Sequence, residues 1–266
     1  MIADRLKQSA DLQRKIALFV LSVLSFIVLW TVGSQAAAGS VPQLTMVMES
    51  VVSTVTTPDH TGNTGLYHLG VTLLRVACII AITLAASLFL GILMGTETEL
   101  EAPVANILPV WMAMPGLVVI LFSLVLFGFS NLSIIIAVTF LSLPYGTVNI
   151  WKGIQAIDTD LVEMATVFDF DTRAMWRQIY LPSVLPFLFA SSRYLLAMIW
   201  KITLTAEVFG AQVGIGAMIR FWFSASDITQ MLTYFTLFLA AVFVIEYGIL
   251  LRLERRAFAY RDTIAS

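Results

Sequence analysis

Long apolar runs at 16–34, 69–95, 104–128, 132–151, 183–206 and 230–251 leave this chain little choice of fold. A helix needs about 20 mostly apolar residues to cross hydrocarbon, where every backbone N–H and C=O must be satisfied inside its own segment. With 59% hydrophobic and 12% charged residues, the chain has too little polar surface to coat a soluble globule of 266 residues. The expected fold class is all-α, a polytopic integral membrane protein of six transmembrane helices in a lipid bilayer.

The basic residues set the expected orientation. If both termini face the cytoplasm, that side holds Arg5, Lys7, Arg14, Lys15, Lys152, Arg173, Arg177, Arg252, Arg255, Arg256 and Arg261, against Arg220 alone on the other. Such an excess of Lys and Arg marks the cytoplasmic loops. Residues 1–15 then read as a short cytoplasmic helix at the membrane surface and 253–266 as a cytoplasmic tail. The run 16–34, followed by Ala36-Ala37-Ala38, resembles a secretory signal, but it is longer than the usual signal core, which favours a retained anchor. No basic stripe points to nucleic acid. Cys78 is the single cysteine, which leaves neither a disulfide framework nor a Cys-based zinc site.

The connecting segments carry their own signals. Residues 35–68, with Pro58, Asn63 and several Thr and Gly, read as an irregular outer linker, and His60 and His68 as solvated loop residues rather than metal ligands. Residues 96–102, carrying Glu97, Glu99 and Glu101, read as a tight acidic turn. Pro109 and Pro115 interrupt the third run, which suits a helix inside the bundle or lining a cavity, with Pro115 a candidate pathway residue. The short link 128–131 predicts an antiparallel hairpin of the third and fourth spans. The outer loop 207–229 holds Gly210, Gly214 and Gly216, then Phe221-Trp222-Phe223; an interfacial aromatic belt is one reading, an outer gate of Gly214, Gly216 and Trp222 the other.

Between the fourth and fifth runs lies a charged, amphipathic stretch, 158–182. Asp158 and Asp160 suit an acidic helix start, Phe168-Asp169-Phe170-Asp171 breaks the pattern as a turn, and a second helix bearing Met175, Trp176 and Ile179 is expected to end before Pro182. Two short helices at a bend, with apolar knobs and basic flanks, form a docking surface for a soluble partner, unless the stretch packs only on its own bundle.

At these residues the chain resembles the permease subunits of ATP-binding-cassette (ABC) importers, whose motif runs Glu-Ala-Ala, three residues, Gly, nine residues, Ile, one residue, Leu-Pro. Glu163, Ala165, Ile179, Leu181 and Pro182 fall on that spacing, with Met164 in place of an alanine and Asp169 in place of the glycine. The resemblance extends through Leu74-Arg75, Gly91, Gly95, Pro115, Phe127-Gly128, Gly153, Glu207 and Gly214-Ile215-Gly216, and looks most like the branch that imports nitrate, sulfonates and taurine. It implies a type I ABC importer permease fold in the bacterial inner membrane, with Glu163, Ala165, Asp169, Ile179, Leu181 and Pro182 on a coupling helix seated in the ATPase. It also implies two ABC ATPase subunits that bind ATP and Mg, a periplasmic solute-binding protein and a second permease chain, usually identical. The permease itself would bind no cofactor and hydrolyse nothing, in keeping with the lack of a phosphate-cradling G-x-x-x-x-G-K-S/T loop.

Arg75, Arg193, Lys201, Glu207 and Glu246 lie within or at the ends of spans. Each costs about 2.5–3.5 kcal/mol at mid-membrane, so partners on other helices are expected. One reading makes Arg193 and Lys201, with Arg75, an electropositive pathway for an anion, Glu207 being a further candidate pathway residue; the other has the charges paired, or Arg75 and Lys201 snorkelling to the outer boundary. An intramembrane enzyme using Lys201 and a nearby serine, or a stand-alone secondary transporter, would be alternative functions.

Overall fold

The computed structural model describes residues 2–37 and 41–250. Those residues fold into α1 (Ile2–Ala36), α2 (Leu44–Thr56), α3 (Gly65–Thr96), α4 (Thr98–Met112), α5 (Gly116–Phe127), α6 (Asn131–Gln155), α7 (Thr159–Val167), α8 (Thr172–Met175), α9 (Leu181–Gly210), α10 (Ile215–Ser224) and α11 (Ile228–Phe243). A π-helical turn, Trp176–Tyr180, joins α8 to α9, and a second, Val244–Leu250, extends α11. Among the described residues five helices are long and apolar enough to cross a membrane, and α4 with α5, bent by 95°, makes a sixth crossing if the pair is one broken span. The expected tail 253–266 lies outside the described residues.

Helices α3, α6 and α9 form the centre of the bundle. Small residues let them approach: a Cβ on Gly91 would sit 2.6 Å from the Ile150 side chain, and one on Gly95 2.4 Å from that of Ile154. Between membrane helices lipid tails are as apolar as leucine, so close backbone packing at small residues supplies the association instead. Val76, Ile79, Ile134, Val138, Leu195 and Ile199 of the same three helices pack in the main core. The outward faces keep large apolar groups such as Phe89, Phe122 and Val125 exposed, as lipid requires. Helix α1 stands apart, with nearly all of its apolar stretch exposed.

Several sequence expectations are corrected. Residues 1–15 do not form a separate element, because α1 runs unbroken from Ile2 to Ala36. The outer segment is not irregular throughout: α2 buries Val47 and Thr54, with α11 beside it, on a pattern too short to read as a span. The acidic turn shrinks to Glu97, and Glu99 and Glu101 instead lie in the first turn of α4, where carboxylates favour the amide-rich helix end. The third run is two helices, broken at 113–115 with Pro115 capping α5, while Pro109 stays inside α4. Helix α9 continues to Gly210, so Glu207 belongs to a span and not to the following loop.

The expected stop before Pro182 is also absent. Leu181 is helical (φ −62, ψ −49) and its N–H bonds the Trp176 carbonyl, five residues back. That π turn widens the helix where proline would otherwise clash with the carbonyl four residues behind it, so α8 runs on into α9.

Candidate functional site

The stretch between α6 and α9 builds the first site. Asp158 caps α7 by accepting the Asp160 N–H, and α7 ends in paired bonds, Phe170 N–H to the Ala165 carbonyl at 3.0 Å and Asp169 N–H to the Thr166 carbonyl at 3.1 Å. This is the Schellman arrangement, whose residue beyond the cap adopts a left-handed conformation that suits glycine. Asp169 occupies it with φ 51. Asp171 then accepts the Ala174 N–H at 2.7 Å and starts α8. The bend expected from sequence therefore forms, with aspartate doing what glycine does at lower steric cost.

The bend presents apolar side chains outward. Leu161, Met164, Val167, Phe168, Phe170 and Leu181 are exposed, Val167 at 81%, and Glu163 and Pro182 are exposed beside them. Ala165 is buried and Ile179 half-buried, so these two of the motif residues anchor the segment rather than display it. Trp176 stacks on Tyr180 with centroids 4.7 Å apart, and both line a cleft of about 340 Å3 against Thr96 and Glu97.

At the opposite end a polar cluster crosses the bundle. Arg75 on α3 and Glu207 on α9 form a buried ion pair, 132 positions apart in the chain. The Thr72 hydroxyl donates to Glu207 Oε2 at 2.9 Å and accepts the Ile215 N–H at 2.9 Å, while the Gly216 N–H donates to the same Oε2 at 2.9 Å. Arg75 Nε also donates to Asn131 Oδ1 at 3.0 Å. Glu207 thus ties the first turn of α10 to α3. A Cβ on Gly214, where φ is +127, would lie 2.6 Å from Arg75 Nη1, and one on Gly216 2.5 Å from Glu207 Cβ, so the two glycines let the backbone close over the pair.

A second chain of bonds extends the cluster outward. His68 is fully buried, which corrects its reading as a solvated loop residue. Its Nδ1 accepts the Gly214 N–H at 3.2 Å, so the ring proton sits on Nε2 and points to Asp59 Oδ2, 2.9 Å away. Asp59 Oδ2 also accepts the Tyr234 hydroxyl at 3.1 Å. Burial works to raise the Asp59 carboxyl, but the Thr61 hydroxyl and amide, the His68 ring and the Tyr234 hydroxyl together hold it below the usual carboxylate range. His60 stays exposed and stacks on Phe221 of α10 at 3.5 Å.

Of the expected pathway residues, the structure brings Arg75 and Glu207 together and leaves Arg193 and Lys201 exposed on α9, apart from them. Pro115 is exposed at the α4–α5 break. Gly214 and Gly216 are buried against Glu207, and Trp222 is half-buried against the main core. The sequence reading missed Thr72, Asn131, Asp59 and Tyr234. A signal was present for part of this: His68, Thr72 and Arg75 recur at helical spacing on one face of an otherwise apolar run.

Comparison with known proteins places the family and the fold. Residues 87–258, well over half of the chain, match the family described as binding-protein-dependent transport system inner membrane component. A Bacillus subtilis (strain 168) protein named as an aliphatic sulfonates transport permease, SsuC, is 28% identical over 152 residues, 57% of this chain and 55% of that one. Its Escherichia coli (strain K12) namesake is 35% identical over 69 residues, 26% of each. The chain thus aligns with about half, or less, of the length of these relatives. A chain of the MetNI methionine ABC transporter in an inward-facing conformation shares the fold with a TM-score of 0.58 at 18% identity, covering 72% of this chain and 93% of that one. A chain of an amino acid ABC transporter solved with histidines does so at 0.57 and 19%, with the same coverage. By the match over 87–258, this chain is a member of the binding-protein-dependent transport system inner membrane component family.

Proposed function

We propose that the chain is the permease subunit of an ATP-driven importer for a small anion of the aliphatic sulfonate type, received from a periplasmic binding protein. The observation that carries this is the α7–α8 bend, which holds a cluster of large apolar side chains in the open at a charged end of the bundle. Such a patch on a rigid, capped bend suits insertion into a cleft of a soluble partner. The partner is an ABC ATPase that binds ATP and Mg, one per permease chain, with Glu163, Ala165, Asp169, Ile179, Leu181 and Pro182 forming the coupling segment. That end and both termini are cytoplasmic. At the other end Gly214, Gly216 and Trp222 form the outer gate.

The exposed Lys201 of α9 supports a second permease chain. It lies about 30 Å along a helix of some 45 Å, well within hydrocarbon depth. A cation facing lipid there costs about 2.5–3.5 kcal/mol, so this face borders water and a second copy instead, as the pathway between two chains. A homodimer is the simplest assembly that covers it.

The test is Glu163→Lys in proteoliposomes holding the permease, its ATPase and binding protein. Uptake of ethanesulfonate should fall by about tenfold or more, which is ~1.4 kcal/mol of lost coupling, while membrane insertion is unchanged. Normal uptake, together with failure of a cysteine at Val167 to crosslink to the ATPase, refutes the docking role.

A further inference from the structure

A cavity of about 310 Å3 opens beside the Arg75–Glu207 pair, between α3, the start of α6 and the turn joining α9 to α10. Its size falls at the lower end of small-molecule sites, about 300–1,000 Å3. Arg75, 5% exposed, lines it, and Glu207, 0% exposed, does not. The ion pair therefore turns its positive end toward the cavity. No Asp or Glu stands among its described lining residues.

The donors are directed by chemistry. Arg75 has only N–H groups to offer, so the Asn131 side chain must face it with Oδ1, which accepts from both Nε and Nη2. That fixes the Asn131 Nδ2 amide, with both protons, away from the arginine. One N–H from each of Nη1 and Nη2 is taken by Glu207 or Asn131, which leaves each a second proton. Helix α6 begins at Asn131 in the cavity wall and adds the positive end of its dipole. Val71 and Phe129 supply apolar wall. Arg75 lies level with the start of α6, at the end of the bundle remote from the α7–α8 bend, so the cavity opens near the water boundary.

We propose that this cavity binds an oxyanion carried on a short alkyl group, the sulfonate head meeting Arg75 and Asn131 and the alkyl group meeting Val71 and Phe129. The proposal rests on the reading of the chain as an importer of a small anion, and adds the place where the anion first meets it. A lipid phosphate offers the same head chemistry and is the source the experiment must separate.

Full-length chain in nanodiscs of phosphatidylcholine alone, without ATPase or binding protein, is titrated with ethanesulfonate by calorimetry at fixed chloride. Saturable binding is expected. Asn131→Asp keeps an acceptor for Arg75 but places a negative charge beside the anion, and Gln212→Glu does the same from the exposed rim. Each should weaken binding by about tenfold, as a like charge at such range does. Absence of saturable binding overturns the proposal, as does binding by both variants as tight as that of the wild type. Retention of phosphatidylglycerol through purification, lost in Asn131→Asp while ethanesulfonate fails to bind, overturns it in favour of a lipid site. ATP-driven sulfonate uptake unaltered in both variants removes the cavity and leaves the importer reading intact, whereas ethanesulfonate binding without any uptake by the complete transporter does the reverse.

Discussion

Cutting Glu207 away from Arg75 should destabilise the bundle more than removing both charges together. In Glu207→Ala the guanidinium keeps Asn131 but loses its counter-charge at a site 5% exposed, a loss of about 3–5 kcal/mol for a buried pair broken on one side. The Thr72 hydroxyl and Gly216 N–H lose their acceptor in the same step. Arg75→Met strands the carboxylate at 0% exposure and should cost a similar amount, partly offset by the donors that Thr72 and Gly216 still provide. In the double variant Arg75→Met/Glu207→Leu no buried charge remains, the Thr72 hydroxyl still reaches the His68 carbonyl at 3.2 Å, and the residual cost is the orphaned Gly216 N–H, about 1–3 kcal/mol. The coupling energy from the cycle should therefore reach about 2 kcal/mol or more. Unfolding in mixed detergent micelles by SDS titration, followed by far-UV circular dichroism, reads all four proteins. A double variant whose loss equals the sum of the single losses would falsify the view that the pair acts as a unit.

Asp169→Gly should stabilise the α7–α8 bend by ~1 kcal/mol, because the left-handed cap costs an L-residue roughly that much; slower hydrogen exchange at Phe170 N–H checks it, and unchanged exchange counts against the strain. Asp59 makes an acid limb: its carboxyl is held low in the folded chain, so its contribution is fully present above about pH 4 and is lost as pH falls through the lower folded value. Thermal stability of the wild type should drop over that range more steeply than that of Asp59→Asn, which starts lower for want of the carboxylate that accepts from His68 Nε2 and the Tyr234 hydroxyl; parallel curves would remove Asp59 from the account.

Most of the bundle was legible because one physical demand, internal satisfaction of the backbone in lipid, writes itself as apolar runs. The α7–α8 bend was legible for a different reason: capping is local, so Asp158, Asp169 and Asp171 announce their roles within a few residues of where they act. Where the reading failed, the cause was distance or compensation. Helix α2 is held by its packing on α11, nearly two hundred positions later, and its 13 residues carry no span-length signal. Pro182 failed to end a helix because a π turn five residues long absorbs the clash, a repair that no residue type marks.

The polar cluster shows both limits at once. The stripe His68, Thr72 and Arg75 lies on one helical face and could be read from spacing, yet its meaning depends on Asp59, Asn131, Glu207 and Gly214, which reach it from a loop, two other helices and a turn. Charge in a membrane helix demands a partner but does not say which. Glycine spacing narrows the choice: Gly214 and Gly216 stand where any side chain would collide with Arg75 or Glu207, so the pair and the turn fit only together. The same closure that buries Glu207 leaves Arg75 lining the cavity, and so one arrangement both anchors α10 and sets the sign of the charge in the cavity wall.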